Sequence, residues 1–154
     1  MDVSDALSII AIVVSVIVAT ITFYSDKKKQ RTELESVYFK EIYQKSLIKD
    51  IPEARGYIRF DAERKLTGTD KLINELKNIL QISRYFLYND KAFYCQLKKT
   101  VQQLEDYLVQ NTDKSFNPED EAEIHEEIHR QLEKIYKTIS DKYLGKKFKM
   151  KKKY

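Results

Sequence analysis

From Ala6 to Phe23 the chain carries no charged side chain, and no other feature limits its possible folds as strongly. With Tyr24 the run has 19 residues. As a helix at 1.5 Å per residue it covers about 28 Å, close to the roughly 30 Å hydrocarbon core of a bilayer. Its polar side chains, Ser8, Ser15, Thr20 and Thr22, have hydroxyls that can bond to a backbone carbonyl one turn earlier. The many β-branched residues would favour a strand in water, but an isolated segment in lipid must satisfy its own backbone, which leaves helix. A cleaved signal peptide opens with basic residues, whereas Asp2 and Asp5 stand here. Residues 1–25 therefore read as a single-pass transmembrane anchor.

Lys27, Lys28, Lys29 and Arg31 follow the run directly. The positive-inside rule keeps that side in the cytoplasm, so the expected location is the cell inner membrane, with the N-terminus outside. Phe23 and Tyr24 fall where interfacial aromatics anchor a helix end. Ser8, Ala11, Ser15 and Ala19 share one helical face, and small residues at this spacing let a second helix approach closely. The expectation is a homo-oligomer formed in the membrane.

Beyond the anchor, composition narrows the choices. Three Gly and two Pro in 154 residues argue against an all-β domain or a Gly-rich phosphate loop, and the one cysteine, Cys95, excludes an internal disulfide. Helical periodicity dominates. A first helix is expected from about Asp26 to Lys49, continuing the anchor. Asp50, Pro52 and Glu53 form a helix-start signature, and helix is the reading for residues 56–60, although these also alternate like a short strand. Leu66 to Thr69 breaks the pattern, and Thr69 or Asp70 caps a helix carrying Leu72, Ile73, Leu76, Ile79 and Leu80. After a break at Asn89 and Asp90, Phe93, Leu97, Val101, Leu104 and Leu108 mark another helix. Asn117, Pro118 and Asp120 start a long one that carries Ile124, Ile128, Leu132, Ile135 and Ile139 and stops near Gly145. The fold class is all-α: an antiparallel bundle over residues 26–145.

Charge is unevenly placed. Residues 32–145 hold 18 basic and 21 acidic side chains, a net −3, against +3 for residues 26–31 and +6 for residues 146–154. The bundle is thus a poor nucleic-acid binder. Lys146, Lys147, Lys149, Lys151, Lys152 and Lys153, interleaved with Phe148, Met150 and Tyr154, form a polybasic tail. Such a tail suits an anionic membrane surface, and is expected to fold the bundle's far end back onto the membrane or tether it.

His125-Glu126-Glu127-Ile128-His129 matches H-E-x-x-H. Two histidines one helical turn apart can chelate Zn²⁺, with Glu126 as general base on a metal-bound water. These five residues resemble the motif of zincin metalloproteases, which implies a membrane-bound, zinc-dependent hydrolase as the alternative reading. The flanking charges on Glu127 and Arg130 depart from that family, and a third ligand would have to be a carboxylate such as Glu133 or Glu121. Both histidines also sit at the edge of the apolar stripe, where hydrogen-bonded surface histidines are ordinary. Tyr85, Phe86, Tyr88, Phe93 and Tyr94 cluster about the Asn89 turn. Most such aromatics pack in a core, but a cluster at a turn can also dock a cytoplasmic protein partner. Cys95 beside them is expected to be buried and unreactive.

The layout of anchor, basic segment and helical bundle resembles the small single-pass membrane effectors and accessory proteins of bacterial antiphage defence systems. That resemblance implies assembly in the membrane on a cytoplasmic signal, with bilayer damage as the output. The leading expectation is a non-enzymatic, membrane-anchored interaction module.

Overall fold

A computed structural model describes residues 3–112, 114–145 and 147–148, with side chains from Val14 onward except those of Lys28 and Arg31. The protein is all-α apart from one small hairpin. In chain order, α1 (Val3–Lys40) is followed by a π-helical segment (Glu41–Asp50), α2 (Ile51–Arg55), β1 (Arg59–Phe60), β2 (Leu66–Thr67), α3 (Thr69–Ile82), α4 (Arg84–Asn89), α5 (Lys91–Thr112) and α6 (Pro118–Tyr143). Two compact units result, Met1–Val37 and Tyr38–Tyr154. The stretch from Asp26 to Val37 therefore groups with the N-terminal segment, not with the bundle.

In the first unit, every described side chain from Val14 to Lys27 is exposed, including Val16 at 60%, Ile21 at 63% and Phe23 at 60%. Thr20 and Thr22 donate to the Val16 and Val18 carbonyls at 2.7 and 2.9 Å, so the two hydroxyls are satisfied within the helix. Among the described residues no helix is long and apolar enough to cross a membrane. The side chains from Ala6 to Val13, the first part of the expected span, lie outside those described.

The second unit is built on α3, α5 and α6. Their apolar stripes meet in one core that includes Leu72, Leu76, Leu97, Leu104, Ile128 and Ile135. Burying each such side chain contributes roughly 1.5–3 kcal/mol. At the start of α6 the Asn117 backbone N–H donates to the Asp120 carboxylate at 3.4 Å, the cap expected from the Asn-Pro-Glu-Asp sequence. Gly145, at φ +73°, follows the end of α6 as a left-handed stop.

Elsewhere the sequence expectations need correction. Asp50 has helical backbone angles and makes no side-chain cap bond, because the chain passes through it from the π-helical segment into α2. Residues 59–60 form a strand, not a helix: Arg59 pairs with Thr67 and Phe60 with Leu66 in an antiparallel hairpin. The Asp61 carboxylate accepts the backbone N–H groups of Glu63 and Lys65 at 2.9 Å, which closes the turn locally. Neither Thr69 nor Asp70 caps α3. Gly68 takes that position at φ +75°, and Thr69 is buried with its hydroxyl 3.3 Å from that of Thr112. Cys95 is exposed, since position 95 faces away from the stripe of Phe93, Leu97, Val101 and Leu104.

Pro52 accounts for an unusual contact. Residues 41–50 follow a π-helical ladder, in which the Ile51 N–H reaches the Ser46 carbonyl. The next donor along that ladder belongs to Pro52, which has none, so the Leu47 carbonyl is left without a backbone partner. The hydroxyl of Tyr136 on α6 donates to it instead. A local break in one helix thereby fixes it to another far away in sequence.

Gly68 is the most constrained backbone position. A Cβ there would lie 2.1 Å from the Tyr57 carbonyl oxygen, whereas one at Gly145 meets nothing within 4 Å. Gly68→Ala is expected to cost more than about 3 kcal/mol and Gly145→Ala about 1 kcal/mol, since both have φ above zero but only the first collides with backbone. Chemical denaturation of the two variants checks this, and equal losses would contradict it.

Candidate functional site

A groove of about 610 Å³ lies between α2 and α6. Ile51, Pro52 and Leu132 give it apolar walls, together with the ring of Tyr136. Arg55, His129, Glu133 and Lys137 stand around it. His129, Glu133, Tyr136 and Lys137 follow one another at helical spacing on α6, so one face of that helix supplies half of the site. Ile51, Pro52 and Arg55 of α2 supply the opposite wall.

His129 joins the two sides. Arg55 donates to its Nδ1 at 3.3 Å, and its Nε2 lies 3.4 Å from the Glu133 carboxylate. A guanidinium has only donors, so Nδ1 must accept and the ring proton sits on Nε2, facing Glu133. Arg55 and Lys137 have no carboxylate within ion-pair distance among the described residues. Burial pushes the Tyr136 phenol above its ordinary pKa of 10.0, with the Arg55 charge pulling the other way.

The H-E-x-x-H residues do not converge. His125 sits edge-on to Phe60 of the hairpin, ring centres 5.5 Å apart, while His129 is held by Arg55 and Glu133. Glu126 is exposed. Glu127 serves the helix itself: it accepts from Gln131 at 2.8 Å and from Arg130, and these bonds hold its carboxyl below the usual carboxylate range. The lone pair of His129 that a metal would need is already directed at a guanidinium. Among the described residues no group of three or more His, Cys, Asp or Glu is placed to hold a metal ion.

The aromatic cluster is mostly internal. Phe86 and Phe93 are in the core, 5.0 Å apart and edge-to-face. Tyr85 stacks on Tyr38 at 4.5 Å, Tyr94 is half-buried, and Tyr88 points outward at 87% exposure. Asp90 organises this end of the bundle: one carboxylate oxygen accepts the Phe93 N–H at 3.1 Å and the other pairs with Lys142 at 2.9 Å. Phe39 stacks on Tyr143 at 4.0 Å, and Phe148 packs on Phe93.

Of the other expected residues, Ser15, Ala19, Lys27, Lys29 and Lys147 are exposed, and Lys27 lies 5.2 Å from the centre of the Phe23 ring. The side chains of Ser8, Ala11, Lys28 and Arg31, and residues Lys146, Lys149, Lys151, Lys152 and Lys153, lie outside those described. Sequence reasoning missed Arg55, Tyr136 and Lys137. The last two were legible from their spacing to His129. Arg55, 74 residues away from His129, was not.

Tyr136→Phe is expected to lower bundle stability by about 1 kcal/mol, because it orphans the Leu47 carbonyl. The raised phenol pKa means that its contribution is fully present below pH 10 and is lost as pH rises through the folded value. Denaturation from pH 7 to 11 checks both points: wild type should converge on the variant at the alkaline end, and a constant gap would contradict the assignment. Comparison with protein-family models, curated proteins and solved structures finds no match for this chain, so its function is argued from its own residues.

Proposed function

We propose that the chain is a membrane-anchored, non-enzymatic helical interaction module: residues 6–24 span the bilayer and self-associate, and the bundle answers to a cytoplasmic protein partner. The observation that carries this reading is a helix whose exposed surface is mostly apolar. Val14, Val16, Ile17, Val18, Ile21 and Phe23 are all exposed, and the face between them holds only Ser15, Ala19 and the back-bonded Thr22. A helix apolar all round is stable when something apolar surrounds it, and a 19-residue run matches the bilayer in length. The back-bonded Thr20 and Thr22 hydroxyls and the Lys27–Phe23 contact suit the core and the edge of a membrane respectively.

Self-association rests on the Ser8, Ala11, Ser15 and Ala19 face, and the exposed Leu34 and Val37, three residues apart, offer a second copy a further apolar contact. The six lysines among residues 146–154 support a role at the membrane surface. Near anionic lipid each lysine contributes about 1 kcal/mol. Following the layout it shares with membrane effectors, bilayer perturbation is the proposed output of assembly.

Protease added to intact cells should leave a C-terminal tag undigested, and digestion there would overturn the orientation. Cross-linking of the full chain in native membranes should give oligomers that Ser15→Ile reduces severalfold. Oligomers unchanged by the substitution would remove that face from the account.

A further inference from the structure

The α2–α6 groove has a composition that selects a ligand. Its walls are apolar, its volume of about 610 Å³ lies in the range of small-molecule sites, and two cations at it, Arg55 and Lys137, lack carboxylate partners among the described residues. The one carboxylate present, Glu133, is turned toward the Nε2 proton of His129. His129 thus stands between Glu133 and Arg55, donating to the one and accepting from the other, so the guanidinium has no carboxylate partner of its own among the described residues. A guanidinium at the margin of an apolar surface has an unmet demand for a planar, two-oxygen anion. Metal chemistry does not meet that demand, and neither does a neutral apolar guest.

From this juxtaposition we infer that the groove binds a small apolar carboxylate, its body against Ile51, Pro52 and Leu132 and its carboxylate between Arg55 and Lys137. Arg55 supplies the two parallel donors that orient the acid, and Lys137 supplies a second, less directional charge. Tyr136 links the site to the rest of the bundle: its ring lines the groove while its hydroxyl holds the Leu47 carbonyl in the π-helical segment. A guest packed on that ring bears on the contact that ties this segment to α6. The site is independent of how the N-terminal helix meets the membrane.

The full chain in lipid nanodiscs, titrated with naphthalene-2-carboxylate and with naphthalene-2-methanol by equilibrium dialysis against empty discs, tests this. Saturable binding of the acid above the empty-disc level is expected, at least about tenfold tighter than the alcohol of the same shape. Arg55→Gln and Lys137→Gln, both at exposed positions, should each weaken the acid severalfold, up to about tenfold, and leave the alcohol unchanged. Equal binding of acid and alcohol by the unmodified chain would overturn the inference without reference to any variant. So would uptake no greater than that of empty discs, or acid binding untouched by both substitutions. Saturation that emerges only on dilution would mean that a second copy of the chain fills the groove, and would overturn it as well.

Discussion

Val14, Val16, Ile17, Val18, Ile21 and Phe23 are all exposed, and the proposed membrane span rests on that apolar surface. The helix from Val3 to Lys40 carries such a surface through its described first half and a charged one immediately after it. Propensity does not explain the apolar part, which is rich in β-branched residues that lower helix stability in water. The proposed lipid surround would, because it removes every competing hydrogen-bond partner for the backbone. The basic residues that follow Tyr24 would then mark the end of the proposed span.

The bundle follows a different physics. Its core is made of stripes at helical spacing, and some of its polar interactions sit where the helices break. Asp90 illustrates this: a single carboxylate caps α5 and pairs with Lys142, so the α4–α5 turn and the end of α6 are held by one group. The stacking of Tyr38 on Tyr85, Phe39 on Tyr143 and Phe148 on Phe93 completes that end. Entry and exit of the chain are thereby gathered together, with the polybasic residues beyond. Pro52 plays the corresponding part at the groove, where the donor it lacks is replaced by the Tyr136 hydroxyl.

Periodicity made α3, α5 and α6 readable in advance, and Asn117 with Asp120 and Gly145 marked helix ends that the structure retains. The hairpin was ambiguous because its strands are two residues each, too short for alternation to outweigh a helical reading, and the partner of Phe60 is decided by Gly68 and Asp61 rather than by pattern. Cap assignments failed where the chain does not leave the helix, as at Asp50, or where a left-handed glycine already turns it, as at Gly68. For the site, the motif spacing directed attention to α6 but not to the groove. His129 belongs to a groove whose other wall comes from α2, and no local pattern places Arg55 against it. The burial of Phe86 and Phe93 agrees with the expectation that most of the aromatic cluster is core, and Lys142 and Phe148 from the far end of the sequence complete it.

The account depends most on lipid enclosing the apolar helix, and hydrogen exchange of the full chain in lipid nanodiscs tests that directly. Amides of a lone helix in water open and exchange quickly, whereas those within hydrocarbon have no water to exchange with. The predicted result is strong protection over residues 6–24 that falls off within a turn or two after Lys27, while residues 30–37 exchange much faster. Equal exchange rates for these two stretches of the same helix would contradict a membrane span.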